Sequence, residues 1–218
     1  MNKNFFVNLF NNTLDVFLPP HCVCCRKNGS LLCKRCYRLI HFKAQSSSRQ
    51  LINSDFLDQV LTLAIYQPPI SNLIQELKYK KVKKVAQLMA EMFYLHLRIP
   101  QTDIITWAPI SIGRLNNRGF NQAELIAREL SDLIEVPAVN LLIKTKETKK
   151  QARSSLQERI TNLNGIFAFN PIFNKHIGGA SVLIVDDVIS TGSTLNECAK
   201  VLKTNKASKV IGLTVAQS

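Results

Sequence analysis

The chain is short of acids. Its 15 Asp and Glu stand against 28 Lys and Arg, leaving a formal charge of +13. An excess of that size draws a protein towards polyanions such as nucleic acid, nucleotides or an acidic membrane surface, without choosing among them. Long apolar runs are also missing. No segment approaches the roughly 18 consecutive apolar residues of a membrane-spanning helix, so no transmembrane segment is expected. None of the eight glycines belongs to a Gly-x-x-x-x-Gly-Lys-Ser/Thr loop, which removes the P-loop nucleotide-binding class. An export signal is lacking too: Asn8, Asn11, Asn12 and Asp15 interrupt the helically spaced Phe6, Phe10, Leu14 and Phe17. Met1 to Pro20 therefore reads as a short amphipathic helix stopped by Pro19-Pro20, lying on its own protein or on a membrane surface. The expected compartment is the reducing cytoplasm, where clustered cysteines favour metal over disulfides.

Cysteine is scarce everywhere except in one short stretch. Five of the six lie between Cys22 and Cys36, and the sixth, Cys198, falls in a helical pattern. Cys22/Cys25 and Cys33/Cys36 are two Cys-x-x-Cys pairs separated by a loop with a turn signal at Asn28-Gly29. Two such turns present four thiolates tetrahedrally, the closed geometry of structural zinc, with no open position for catalysis. Cys24 is a possible substitute ligand, although only Cys22 and Cys25 mirror the spacing of the second pair. Arg26, Lys27, Lys34, Arg35 and Arg38 add positive charge, either to meet nucleic acid or to keep a small module soluble. The polar stretch Gln45 to Gln50 is the best candidate linker, dividing residues 1–50 from a larger domain at 51–218.

A hydrophobic content of 46% lets that larger domain build a core. Strands are expected at Val60–Tyr66, Ile104–Ala108, Val139–Ile143, Val182–Val185 and Val210–Val215. Between them run helical stripes at Val85/Leu88/Met89/Met92/Phe93, Ala123/Ile126/Ala127/Leu130/Ile134 and Leu195/Cys198/Ala199/Leu202. Alternation of this kind predicts an α/β fold, a mainly parallel sheet flanked by helices. Cys198 and the methionines then belong to the core.

Ligands of open parallel sheets bind beyond the carboxyl ends of the strands. Beyond Val185 stands Asp186-Asp187-Val188-Ile189-Ser190-Thr191-Gly192-Ser193-Thr194. The hydroxyls and backbone N–H groups of Ser190, Thr191, Gly192, Ser193 and Thr194 at a helix start suit a phosphate. Asp186 and Asp187 repel phosphate but accept hydrogen bonds from vicinal hydroxyls. The string as a whole describes a sugar phosphate. Arg114 and Arg118 sit four apart at a turn-to-helix junction, placed either to reach a phosphate or to form ordinary salt bridges, for example with Glu124. The run Lys78, Lys80, Lys81, Lys83 and Lys84, broken by Tyr79, reads equally as a solvated face or as a phosphate track with an aromatic on which a base could stack.

Val182 to Thr194 resembles the phosphoribosyl pyrophosphate (PRPP) motif of type I phosphoribosyltransferases. With the two cysteine pairs, Leu77-Lys78-Tyr79-Lys80, Pro109, Arg114-x-x-x-Arg118-Gly119-Phe120-Asn121-Gln122-Ala123-Glu124 and Lys150-Gln151-Ala152-Arg153 leading to Arg159, the chain resembles the ComF/GntX family. That family carries an N-terminal cysteine knuckle and is associated with natural competence. The resemblance implies a type I phosphoribosyltransferase-like domain with a small N-terminal zinc knuckle of four cysteines. Asp186 and Asp187 would hold ribose hydroxyls and would be the candidates for any catalytic role. Thr191 to Thr194 would hold the 5′-phosphate, the turn after Pro109 would lie near pyrophosphate, and Lys144 to Arg159 would form a mobile hood. Magnesium would arrive with PRPP, shared between pyrophosphate oxygens and water. Alanine at 108, Ser190 before Thr191 and the extra Cys24 depart mildly from the family pattern.

Three functions follow. The first is a competence protein that binds PRPP or a related ribose 5-phosphate and handles incoming single-stranded DNA, with other competence proteins as partners. The second is an active phosphoribosyltransferase of nucleotide metabolism whose acceptor is invisible in the sequence. The third is a non-catalytic PRPP sensor.

Overall fold

The computed structural model describes residues 20–43, 55–79, 84–145 and 165–218. The expected N-terminal helix, the Gln45–Gln50 linker, Lys80, Lys81, Lys83 and hood residues 146–159 lie outside these described residues. The first described segment is built on turns. Cys22 N–H donates to Lys27 O (2.8 Å), Arg26 N–H to Cys22 O (2.9 Å), and Val23 N–H ties the first turn to Leu31 O at 2.9 Å. Gly29 takes φ +107°, a conformation that costs glycine little. A single turn of helix, α1 (Lys34–Tyr37), then carries the second cysteine pair.

The main sheet contains β1 (Gln59–Ile65), β2 (Ile104–Trp107), β5 (Ser181–Ile189) and β6 (Lys209–Gln217), in the order β1-β6-β5-β2 and parallel throughout. A small antiparallel pair, β3 (Leu142–Lys144) and β4 (Phe167–Phe169), stands apart from it. Helices α2 (Ile70–Tyr79), α3 (Lys84–His96), α4 (Ile112–Arg118), α5 (Gln122–Ile134) and α6 (Ser193–Thr204) complete the architecture, with a 3₁₀ turn at Pro171–His176.

Alternation along the strands divides the apolar residues between two layers. Leu61, Leu63, Ile105, Trp107, Leu183, Val185, Leu213 and Val215 face α2, α3 and α5. Val60, Ile104, Val182, Ile184 and Val210 face α6 and the β3–β4 pair. Gly212 in β6 lets α6 approach closely, since a Cβ there would stand 3.1 Å from Leu195 Cδ1. Each fully buried aliphatic side chain contributes about 1.5–3 kcal/mol of transfer free energy, so these two layers carry the fold. The expected parallel sheet covered on both sides is therefore present.

Several elements depart from expectation: α4 and β4 are not among the expected elements, and the strand expected at Val139–Ile143 is Leu142–Lys144, paired antiparallel with β4 outside the main sheet. Helix α2 is absent from the predicted elements, although Ile70, Leu73, Ile74 and Leu77 form its buried stripe. Strand β5 does not stop at Val185. It pairs with β6 through Asp186↔Thr214, Val188↔Ala216 and Ile189↔Gln217, so the two acids lie inside a paired strand and the turn begins only at Ser190.

The cysteine module is packed on the sheet domain. Cys22, Val23, Leu31, Leu32, Cys36 and Ile40 share one apolar cluster with α2, α3 and α5. Arg26 meets Glu76 of α2 at 3.5 Å. Tyr37 Oη pairs with His96 Nε2 at 2.5 Å, and the His96 ring stacks on Phe42 at 3.8 Å. The segment leaving the module bridges β1: Lys43 N–H donates to Leu63 O (2.9 Å) and Ile65 N–H to His41 O (3.1 Å), with Phe42 opposite Ala64. At the far edge, Ile105 N–H donates to Pro137 O and Val139 N–H to Ile105 O, so residues 137–139 run beside β2. Among the described residues, no helix is long and apolar enough to cross a membrane.

Candidate functional site

The four sulfurs of Cys22, Cys25, Cys33 and Cys36 lie within 4.8 Å of one another, with Cys25 Sγ and Cys33 Sγ 3.6 Å apart. Cys24 is not part of the cluster. Burial raises the Cys22 thiol, but backbone N–H groups of Cys25, Cys33 and Cys24 outweigh it and bring it down to about 6. The Cys36 backbone N–H lowers Cys33, whereas burial and the neighbouring sulfurs push Cys36 up. Four negative sulfurs this close repel one another unless a cation sits among them. An all-sulfur, closed donor set suits a structural metal such as zinc.

The second site lies where the resemblance directs attention. A cavity of about 300 Å³ opens at the carboxyl ends of β2 and β5. Six of the expected residues line it: Lys78, Arg114, Arg118, Asp186, Asp187 and Thr194. Ser190, Thr191, Gly192 and Ser193 do not line it. They shape the turn beside Thr194: Gly192 takes φ +77° as N-cap of α6, and the Thr191 and Ser193 hydroxyls bond each other at 2.7 Å. Ser193 N–H also donates to Thr191 Oγ1 at 3.3 Å.

Strand geometry separates the two carboxylates. Asp187 shares the face of Val185, where α2 packs, and Lys78 Nζ of α2 reaches its Oδ2 at 2.6 Å. Asp186 shares the face of Ile184 and lies near buried Cys198 of α6. Its Oδ1 accepts the Asp187 backbone N–H at 2.8 Å. Burial, reinforced by the charge of Asp187, pushes the Asp186 carboxyl up to about 7, although the Asp187 N–H and Lys78 pull the other way. Cys198 is pushed up by burial and has the environment of a core residue.

The opposite wall comes from the β2 end. Asn121 Nδ2 donates to Ala108 O at 2.9 Å and its Oδ1 caps α5 through Ala123 N–H at 3.0 Å, clamping α5 to the strand end. Ser111 Oγ caps α4 through Arg114 N–H at 3.4 Å. Helix α4 buries none of its residues, so Arg114 and Arg118 are held over the cleft on an exposed turn. Glu124, the proposed alternative partner of these arginines, pairs with Arg128 at 2.8 Å. The Arg118 guanidinium instead lies 5.6 Å from the ring centroid of Tyr79, which is 70% exposed. Asn121, Gln122, Lys144 and Phe167 also line the cavity. Lys144 is the first residue of the expected hood; sequence reasoning gave Asn121, Gln122 and Phe167 no specific role, although Asn121 and Gln122 stand inside the quoted Arg118–Glu124 motif.

A phosphoribosyl transferase domain model matches residues 115–217, the part of the chain that holds the acidic strand and its turn. Competence protein F of Haemophilus influenzae is 30% identical over 179 residues, covering 78% of this chain and 78% of that protein. The DNA utilization protein YhgH of Escherichia coli is 31% identical over 163 residues, 70% of this chain and 69% of its own length. Competence protein ComFC of Bacillus subtilis is 31% identical over 111 residues, covering 50% of this chain and 42% of that protein. With its phosphoribosyltransferase-like sheet and its four-cysteine module, the chain belongs to the competence protein F (ComF) family.

Proposed function

We propose that this chain works in the uptake and use of DNA by binding PRPP, or a related ribose 5-phosphate, in the cleft at the ends of β2 and β5. One observation carries the reading. Asp186, Asp187 and Thr194 share a cavity with Lys78, Arg114, Arg118 and Lys144, so acceptors for sugar hydroxyls stand beside cations for phosphates. Magnesium would accompany PRPP, held by its diphosphate oxygens and water, and would offset the charge repelled by the two carboxylates. The four cysteines would hold zinc. The formal charge of +13 and the exposed Tyr79 beside Arg118 support an accompanying role in handling single-stranded DNA, with bases stacking on the aromatic and phosphates on the cations. The cytoplasm is the fitting compartment for both ligands.

The test is a titration of zinc-loaded protein with magnesium PRPP and, separately, with single-stranded DNA, alongside the Asp186→Asn/Asp187→Asn variant. PRPP binding that disappears in the variant supports the reading. No PRPP binding by the unaltered protein, with tight salt-sensitive DNA binding, refutes it. A second reading, an active transferase, is favoured by the Asp186 carboxyl poised near 7 inside the cleft, where a group can exchange a proton at working pH. Release of pyrophosphate on adding candidate nucleophiles distinguishes that enzyme from a binding protein.

A further inference from the structure

One donor in the cleft has no partner among the described residues. Gln122 opens α5, its side chain is only 2% exposed, and its Nε2 makes no hydrogen bond, yet it lines the cavity. Leaving a buried amide N–H unpaired costs about 1–3 kcal/mol, and a leucine would fill the same space without that cost. Neighbouring Asn121 shows the contrast, since both ends of its amide are bonded. An acceptor supplied by a ligand is the physical reason for a glutamine at this position.

The character of that acceptor follows from its surroundings. Asn121 anchors the start of α5 to Ala108, at the end of β2. In the sheet order, β5 stands between β2 and β6, and the hydroxyl turn carries the chain from β5 through α6 to β6. Gln122 and the Thr194 turn therefore belong to opposite flanks of the acidic strand. On the Gln122 flank stand Arg114 and Arg118 and the N-terminal N–H groups of the 13-residue helix α5, all of which favour an anionic oxygen.

We propose that Gln122 is a specificity-determining residue. Its Nε2–H donates to a phosphoryl oxygen carried on the C1 side of the sugar, so that the cleft selects a ribose with a second phosphoryl group over ribose 5-phosphate. This rests on the ribose phosphate reading above and extends it from a ligand class to a choice within that class.

The experiment compares magnesium PRPP and ribose 5-phosphate by calorimetric titration on the full chain and on Gln122→Leu and Gln122→Glu, with thermal unfolding of all three. Gln122→Leu is expected to weaken PRPP roughly 10- to 100-fold, the range of a lost hydrogen bond to a charged group, and to leave ribose 5-phosphate within about twofold. Gln122→Glu, which adds a carboxylate of the same size, is expected to weaken PRPP further. The ligand-free Tm of Gln122→Leu should not fall, because no internal bond is removed. Equal weakening of both ligands, together with a lower Tm, identifies a structural residue and overturns the inference. Unchanged PRPP affinity in Gln122→Leu overturns it while leaving the ribose phosphate reading intact. If the unaltered protein binds neither sugar phosphate, both fall together.

Discussion

Replacing Asp186 with asparagine should make the protein more stable, by an amount that grows as pH rises from about 4 to about 7. The Asp186 carboxyl is pushed from its ordinary 3.8 to about 7, first by burial and then by Asp187. The folded state thus keeps this proton up to about pH 7, while the unfolded chain gives it up near pH 4. Stability falls as pH rises through that window and levels off above it. The gap of about three pH units sets a ceiling of roughly 4 kcal/mol. Solvent reaches this half-buried strand end, and its screening brings the working figure to roughly 2 kcal/mol. Asparagine keeps the Oδ1 acceptor for the Asp187 N–H, now at 2.8 Å, and carries no charge to desolvate. At about 2–4 °C per kcal/mol for a chain of this size, Asp186→Asn should raise Tm by roughly 4–8 °C at pH 8 and leave it almost unchanged at about pH 3.5, below the carboxyl's ordinary range. Thermal unfolding followed by far-ultraviolet circular dichroism at the two pH values measures this directly. A Tm gain of equal size at both pH values, or a loss at pH 8, refutes the argument that burial of a charge is what the site tolerates for its function.

Other consequences are open to simple measurements. Gly192→Ala places a side chain at φ +77° and should cost about 1–2 kcal/mol, seen as a lower urea midpoint, together with weaker binding of PRPP as the Thr194 turn shifts. Arg114→Ala/Arg118→Ala should leave Tm nearly unchanged, because α4 buries nothing, yet flatten the salt dependence of single-stranded DNA binding; an unaltered salt slope removes these arginines from the DNA track. Cys36→Ser, or a strong chelator, should abolish the bound metal detected by elemental analysis and lower Tm by several degrees, since Leu31, Leu32 and Ile40 lose the module that holds them against the sheet domain. Tyr37→Phe removes the hydroxyl paired with His96 and should cost about 1 kcal/mol.

What can be read from the chain alone divides along physical lines. Period-two and period-3.6 patterns locate β1, β2, β6, α3, α5 and α6 because those elements bury one face against a thick core. The α2 stripe at Ile70, Leu73, Ile74 and Leu77 obeys the same period, but Lys78 and the lysines after it make charge the dominant signal and mask the helix that carries them. The strand β4 is a three-residue segment whose place depends on pairing with β3, and non-local pairing leaves almost no local signature. The extension of β5 through its acids is hidden for a related reason. Aspartate is a poor strand former, and only the equally long β6 beside it holds the backbone extended. Asp186, Asp187 and Thr194, which line the cleft, stand out in the sequence because several unusual residues crowd together there. Gln122 does not, because a glutamine beginning a helix is ordinary until its surroundings show that its nitrogen is buried and unbonded.

The pairing of residues 41–43 with β1 makes the cysteine module the guard of a sheet edge. An open parallel sheet presents unpaired backbone groups along its outermost strand, which invites a second chain to add on. Here that strand is sheltered by the segment leaving the cysteine module, which itself packs on the sheet domain through Val23, Leu31, Leu32 and Ile40. Loosening of the module would also reach the cleft, because helix α2 carries both Glu76, which meets Arg26 of the module, and Lys78, which lines the cavity.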